Sequence, residues 1–157
     1  MRIGVISDTH GTLDPRAITA LAGVEHILHA GDIGTAAIIE ALERIAPVIA
    51  VHGNTDAGGP MGRRYPATQR ITRGGVAIHM THIGGRPAEL ARVLPTPRPD
   101  VYIFGHTHTA LLETLDGVLY LNPGAAGRPR FGGGLSVALL DITEGRASAH
   151  IVPLEGR

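Results

Sequence analysis

The chain has 157 residues, zero formal net charge, 43% hydrophobic and 18% charged residues; this suits one folded domain, residues 1–157, and excludes a disordered chain. It contains no Cys and no Lys, which rules out thiolate catalysis, cysteine–zinc sites, disulfides, Schiff-base chemistry and a P-loop lysine. Three Tyr, two Phe, no Trp and no basic run argue against nucleic-acid binding, which needs stacking faces and positive charge.

Met1–Ser7 enters a strand-like apolar run with no signal-peptide architecture, and no stretch approaches the about 20 apolar residues of a membrane span. No membrane association is therefore expected, and the cytoplasm is the expected location. Residues 2–7 read as a buried strand. A helix over about 14–22 follows, with Asp14 as N-cap and Pro15 at its first position. Glu25–His29 reads as a second strand, Thr35 caps a helix to about Arg44, and Pro47–Val51 is a third strand. This β-α-β-α-β opening predicts a mainly parallel sheet with helices packed on it. Residues 57–67, rich in Gly, Pro and Arg, read as a long loop.

The second half reads as hairpins. Gln69–Arg73 and Val76–Thr81 flank Gly74-Gly75. A helix from Pro87 to Val93 runs into the prolines at 95, 97 and 99, and Val101–Phe104 is a buried strand. Leu111–Leu115 and Val118–Leu121 flank Asp116-Gly117, the strongest hairpin signal in the chain. Leu135–Ile142 and Ala147–Val152 form a last hairpin. Two facing sheets with helices outside both are expected.

Five fragments stand just past the C-terminal ends of predicted strands: Asp8-Thr9-His10, Gly31-Asp32, Gly53-Asn54, Thr81-His82 and Gly105-His106-Thr107-His108. In open α/β sheets that edge is where ligands bind. In an extended backbone, residues two apart point the same way, so Asp8 with His10, and His106 with His108, can each reach one ion. Three oxygen ligands and four imidazoles, with no thiolate, exceed what one zinc needs and suit a pair of divalent ions. Such a pair, roughly 3.5–4 Å apart, is a recurrent device for phosphate-ester hydrolysis.

With these fragments the chain resembles the calcineurin-like metallophosphoesterases, whose pattern is D-x-H, GD, GN, a later H, and GH-x-H. Its size, its Gly53-Asn54-Thr55-Asp56 variant and its Asn122-Pro123-Gly124 run are similar to the compact bacterial and archaeal phosphodiesterase subgroup. The resemblance implies a four-layer αββα sandwich of two mixed β-sheets. It also implies two divalent metal ions, manganese first, with nickel, iron, zinc or magnesium as alternatives.

Carried across by position, one ion takes Asp8, His10 and His108, the other Asn54, His82 and His106, with Asp32 bridging; His106 and His108 are interchangeable at this level. Asp32 and Asn54 are implied as catalytic residues. The implied activity is a phosphodiesterase acting on small or activated phosphodiesters, by in-line attack of a metal-bridging hydroxide. The alternatives are a phosphomonoesterase or nucleotidase, and a protein-interaction scaffold, since a retromer subunit resembles this family. The implied partner is a small phosphoester substrate, and a homodimer is compatible with the family.

One departure stands out: many members carry a His after the GN pair, where this chain has Thr55. General-acid help is worth about 10²–10⁴ in rate, so activated leaving groups or another acid are expected. Asp56 reads as a carboxylate that orients a neighbour, without a catalytic role. His29 and His52 could lean toward the site, whereas His79, of opposite side-chain parity to His82, reads as an ordinary histidine. Asn122-Pro123-Gly124 reads as a structural turn, Arg128 and Arg130 as either phosphate-steering or solvated charges, and Arg63 and Arg64 as surface charges.

Overall fold

The structure is a computed structural model that describes residues 1–129 and 134–154. Arg130 lies outside the described residues. The chain opens as expected: β1 (Arg2–Ile6), α1 (Pro15–Ala20), β2 (His26–His29), α2 (Ala36–Glu43) and β3 (Val48–Ala50), with β1 parallel to β2 and β2 to β3. Asp14 caps α1, its side chain accepting from the Arg16 backbone N–H at 2.8 Å. Thr35 occupies the N-cap position of α2 with an extended backbone, but its side chain makes no capping bond.

After α3 (Pro60–Arg64) come β4 (Thr68–Arg73), β5 (Val76–Thr81), α4 (Pro87–Leu90), β6 (Val101–Ile103), β7 (Leu111–Leu115), β8 (Val118–Asn122), β9 (Ser136–Thr143) and β10 (Arg146–Pro153). Among the described residues the strands form two five-stranded sheets, ordered β10-β9-β1-β2-β3 and β4-β5-β6-β8-β7. Both are mixed: each has three parallel strands, with antiparallel strands added at one edge in the first and at both edges in the second.

Side-chain alternation explains the layering. On β1, Ile3 and Val5 face the second sheet, where they pack in one cluster with Ile78, Met80, Val101 and Ile103. Ile6 faces the other way, into a cluster with Ala17, Leu21, Ile39 and Leu42 from the helices. The outer face of the second sheet carries Tyr102, Phe104, Val118 and Tyr120, covered by Leu90 and Leu94. The order helix, sheet, sheet, helix is the αββα sandwich, with a thin fourth layer because α4 is short.

Two boundaries differ from the sequence reading. Segment 57–67 is not all loop. Gly59 provides an extended N-cap, Pro60 starts α3, Arg63 and Arg64 lie in its last turn, and Met61 is buried against the first sheet's helical layer. Cations near a helix C-terminus are favourable, so the same residues that read as loop-like also specify a short helix. Conversely α4 stops at Leu90; the backbone bonds Arg92 N–H to Glu89 and Val93 N–H to Leu90 are turns that lead into the prolines. Among the described residues no helix is long and apolar enough to cross a membrane.

Candidate metal centre

The loops leaving β1, β2, β3, β5 and β6 meet at one end of the sandwich. Backbone bonds lace the first two together: Asp8 N–H to Gly31 O, His10 N–H to Asp32 O and Gly11 N–H to Ile33 O, at 3.0, 2.9 and 2.8 Å. The Gly105 N–H joins the β6 loop to the His82 carbonyl at 2.9 Å. The side chains of Asp8, His10 and His108 form one group, and those of Asp32, His82 and His106 another; within each, the potential ligand atoms lie within 4.8 Å of one another. Asn54 joins the second group, its Oδ1 standing 3.2 Å from His106 Nδ1.

Asp32 lies between the groups, its Oδ2 standing 3.1 Å from His82 Nε2 and 3.6 Å from His10 Nε2. Asp8, Asp32 and His82 are buried, while His106 and Asn54 are exposed, so the centre opens to solvent on their side.

The extended-backbone expectation for the i, i+2 pairs needs correction. Asp8, His10, Asp32, His106 and His108 all have positive φ, between 50° and 73°. Left-handed backbone is rare outside Gly, with Asp, Asn and His its most tolerant occupants. Turns of this hand, not strand alternation, aim the side chains, and they send His106 and His108 to different groups. Such strain at a functional site persists only where surrounding structure over-determines it.

Hydrogen bonds aim each carboxylate. Asp8 Oδ2 accepts from the Ser7 hydroxyl at 2.7 Å and the His106 N–H at 3.0 Å. Its Oδ1 is buried without a hydrogen-bond donor, with the Nε2 atoms of His108, His10 and His82 at 3.3, 3.6 and 3.8 Å. Asp32 Oδ1 accepts from the Thr55 N–H at 3.0 Å, which leaves Oδ2 facing the imidazoles.

His82 donates from Nδ1 to the Ala30 carbonyl at 2.7 Å, and its Nε2 faces Asp32 Oδ2 at 3.1 Å. Burial opposes charging of this ring, but Asp32, the Ala30 carbonyl and Asp8 outweigh it and raise its pKa. Burial also works against the Asp32 carboxylate, yet bonds from His82 and Thr55 hold its pKa well below the usual range. Asp8 Oδ1 and Asp32 Oδ2, two carboxylate oxygens facing the same imidazole nitrogens, are groups that a cation can satisfy. The donor set, carboxylate with imidazole and no thiolate, fits two divalent ions.

Glycines make room at two of these positions. A Cβ on Gly53 would stand 2.1 Å from Asp32 Oδ1, and one on Gly105 would stand 2.2 Å from Ser7 Oγ. The GN and GH pairs are thus dictated by close approach, since real Cβ contacts are never that short.

Asp56 is a buried clamp. It accepts from the Ile33, Gly34 and Gly53 N–H groups at 3.0, 3.0 and 2.9 Å and so ties the Asp32 loop to the Asn54 loop. Asn122 does the same for the histidine loop: its Nδ2 donates to Gly105 O and Thr107 Oγ1 at 3.0 and 3.1 Å, and its Oδ1 accepts from Gly124 N–H. The sequence reading of a structural turn there understates a buried clamp. The roles of the Ser7 hydroxyl and of the Thr55 backbone N–H are absent from the sequence reading. Ser7 is adjacent to a proposed ligand, a usable signal; Thr55 acts through its backbone N–H, which leaves no mark on residue type.

His29 lies beneath the loops, fully buried. Its Nδ1 accepts from the Gly31 N–H at 3.1 Å, so Nε2 carries the proton and donates to Thr9 Oγ1 at 3.0 Å; that hydroxyl donates on to Ile33 O at 2.9 Å. Burial pushes its pKa down to about 3, only partly opposed by Asp56. The unfolded chain therefore takes up a proton near pH 6.5 that the fold refuses, and stability present above that pH is lost as pH falls toward 3. Chelator-treated protein should lose about 2 kcal/mol from this residue between about pH 7.5 and pH 5. Urea unfolding should show that much less pH dependence in His29→Gln; an unchanged slope would contradict the tautomer chain.

His52 donates from Nδ1 to the Tyr65 carbonyl at 2.8 Å, and His79 packs on Tyr102 on the outer face, ring centroids 4.9 Å apart. Arg63 binds the Gly58 carbonyl and Arg64 lies over Tyr65, both at the surface. Arg128 is exposed and lines a cleft with Thr9, His10, Thr12 and Pro129.

A family model, the calcineurin-like phosphoesterase superfamily domain, matches residues 1–145. The chain belongs to the calcineurin-like phosphoesterase superfamily. A probable metallophosphoesterase of Methanothermobacter thermautotrophicus is 34% identical over 161 residues, covering 97% of this chain and 92% of that protein. A phosphodiesterase of Methanocaldococcus jannaschii is 30% identical over 140 residues, covering 79% and 83%. Among solved structures, wild-type Vps29 of Entamoeba histolytica complexed with zinc superposes with a TM-score of 0.78 at 22% identity, covering 99% and 100%. That likeness places the calcineurin-like phosphoesterase chain in the same fold. This superfamily uses divalent metals, and the two side-chain groups are its candidate sites here.

Proposed function

We propose that this phosphoester hydrolase is a phosphodiesterase that acts on small or activated phosphodiesters with two divalent ions. Asp8, His10 and His108 would hold one ion, and Asn54, His82 and His106 the other, with Asp32 shared. One observation carries the reading: Asp32 Oδ2 stands within 3.1 and 3.6 Å of an imidazole nitrogen from each group, which suits a carboxylate common to both ions. Manganese is the first choice, with nickel, iron, zinc and magnesium as alternatives.

When bound, the ions supply Lewis acidity toward phosphoryl oxygens and a water acidic enough to act as nucleophile near neutral pH. The chain's own residues fix the donors before substrate arrives. Ser7 and the His106 N–H orient Asp8, the Thr55 N–H orients Asp32, and the Ala30 carbonyl orients His82. Asn54 offers its amide on the open side, where the phosphoryl group has to enter.

Thr55 is exposed and puts no imidazole beside Asn54, which favours leaving groups that depart without protonation. A docking-only scaffold has no use for two adjacent groups of ligand side chains, and the left-handed backbone at five of the seven residues favours the enzyme. Chelator-stripped protein reloaded separately with manganese, nickel, magnesium or zinc should hydrolyse bis(4-nitrophenyl) phosphate faster than 4-nitrophenyl phosphate with at least one ion. No diester turnover with any of them would overturn the proposal.

A further inference from the structure

We propose that the cleft beside the second ligand group is a subsite for one compact, uncharged aromatic ester group of the substrate. The inference rests on the phosphodiesterase reading above. The cleft holds about 220 Å³, and Asn54 and His82 share its lining with His52, Ala57, Ala67 and Ile83. Pockets that enclose a whole drug-sized ligand run to about 300–1,000 Å³, so this one takes a single substituent. A substituent seated there lies directly beside the ion that Asn54 and His82 would hold.

The lining decides the chemistry of the occupant. Ala57, Ala67 and Ile83 present methyl groups, and Ile83 is 55% exposed although it directly follows a proposed ligand. Apolar walls with a few placed polar groups are the usual make-up of a small-molecule site. Among the described lining residues there is no Arg, and the chain has no Lys, so a second phosphate or a carboxylate would find no countercharge. The contrast is the cleft on the His10 side, which has Arg128 in its lining.

His52 favours a ring over an aliphatic chain. Its Nδ1 bond to the Tyr65 carbonyl, 2.8 Å, keeps the imidazole in the lining, and a histidine plane is a surface on which aromatic rings stack. Ala57 and Ala67, both exposed, put only short side chains in the lining.

The test is binding of phenylphosphonate and methylphosphonate to manganese-loaded protein by calorimetry, in parallel with turnover of bis(4-nitrophenyl) phosphate. Phenylphosphonate should bind about tenfold tighter or more, because only its substituent fills the apolar cleft. Ala67→Phe, which occupies the space, and Ile83→Ser, which removes the apolar wall, should each bring that ratio toward one. Both positions are exposed, so neither change threatens the fold. Equal affinities in the wild type, alongside intact diester turnover, would overturn the subsite and leave the phosphodiesterase reading standing. A ratio unmoved by both variants would also overturn it. If neither phosphonate binds and no diester is hydrolysed with any ion, the phosphodiesterase reading falls and takes this inference with it.

Discussion

Replacing Asp32 by alanine should lower kcat/KM for an aryl phosphodiester by about 10³-fold or more. On the proposed reading, losing the carboxylate common to both ions removes several kcal/mol of charge stabilisation, and each ~1.4 kcal/mol is a factor of ten in rate. Asp8 Oδ1 also faces the imidazoles of His10, His82 and His108, but it belongs to the first ligand group. Asp8 Oδ2 is already occupied by Ser7 and the His106 N–H, and Asp56 is fully engaged with backbone donors. The same change should leave at most one tightly held ion per chain. Steady-state kinetics with elemental analysis of dialysed protein measures both. Activity within about tenfold of wild type, smaller than the loss of a single oxyanion donor, would remove Asp32 from the centre of the reaction.

The second large effect is on stability. Asp56→Ala should cost roughly 3 kcal/mol or more, because a buried donor left without an acceptor costs about 1–3 kcal/mol. Asp56 serves three N–H groups; Ile33 and Gly53 are buried, while Gly34 can turn to water. Against a typical total of about 5–15 kcal/mol, that is a large fraction. Asp56→Asn retains one acceptor oxygen and should lose less. Activity should fall in both, because Gly53 and Ile33 adjoin the loops that carry Asn54 and Asp32. Urea unfolding of chelator-treated protein reads the stability directly. A cost below about 1 kcal/mol, the range of an ordinary surface change, would show that the loops hold together without Asp56.

Much of the fold was legible along the chain because its signals are local. Asp116-Gly117 and Gly74-Gly75 announce hairpins at the residues where they turn, and the periods of Ile38, Ile39 and Leu42 announce α2. Segment 57–67 reads as loop because Gly, Pro and Arg each favour loops on average. Its helix α3 exists because Met61 finds an apolar surface supplied by distant residues, a fact no local window contains. The length of α4 failed the other way: a helical pattern over 87–93 is cut short once the chain must enter the prolines.

The candidate site divides along the same line. Residue types and their order at strand ends determined which seven side chains could serve as donors, because ligand chemistry belongs to the residue and strand ends are written locally. Only the tertiary structure decided which donors share a group, which carboxylate oxygen is free, and that five of the seven sit in left-handed backbone. It also decided that Asp56 and Asn122 clamp loops, and that a cleft opens beside Asn54. Those features depend on backbone N–H and carbonyl groups meeting across segments far apart in the chain. Every residue but proline carries both groups alike, so residue type is silent about where they converge.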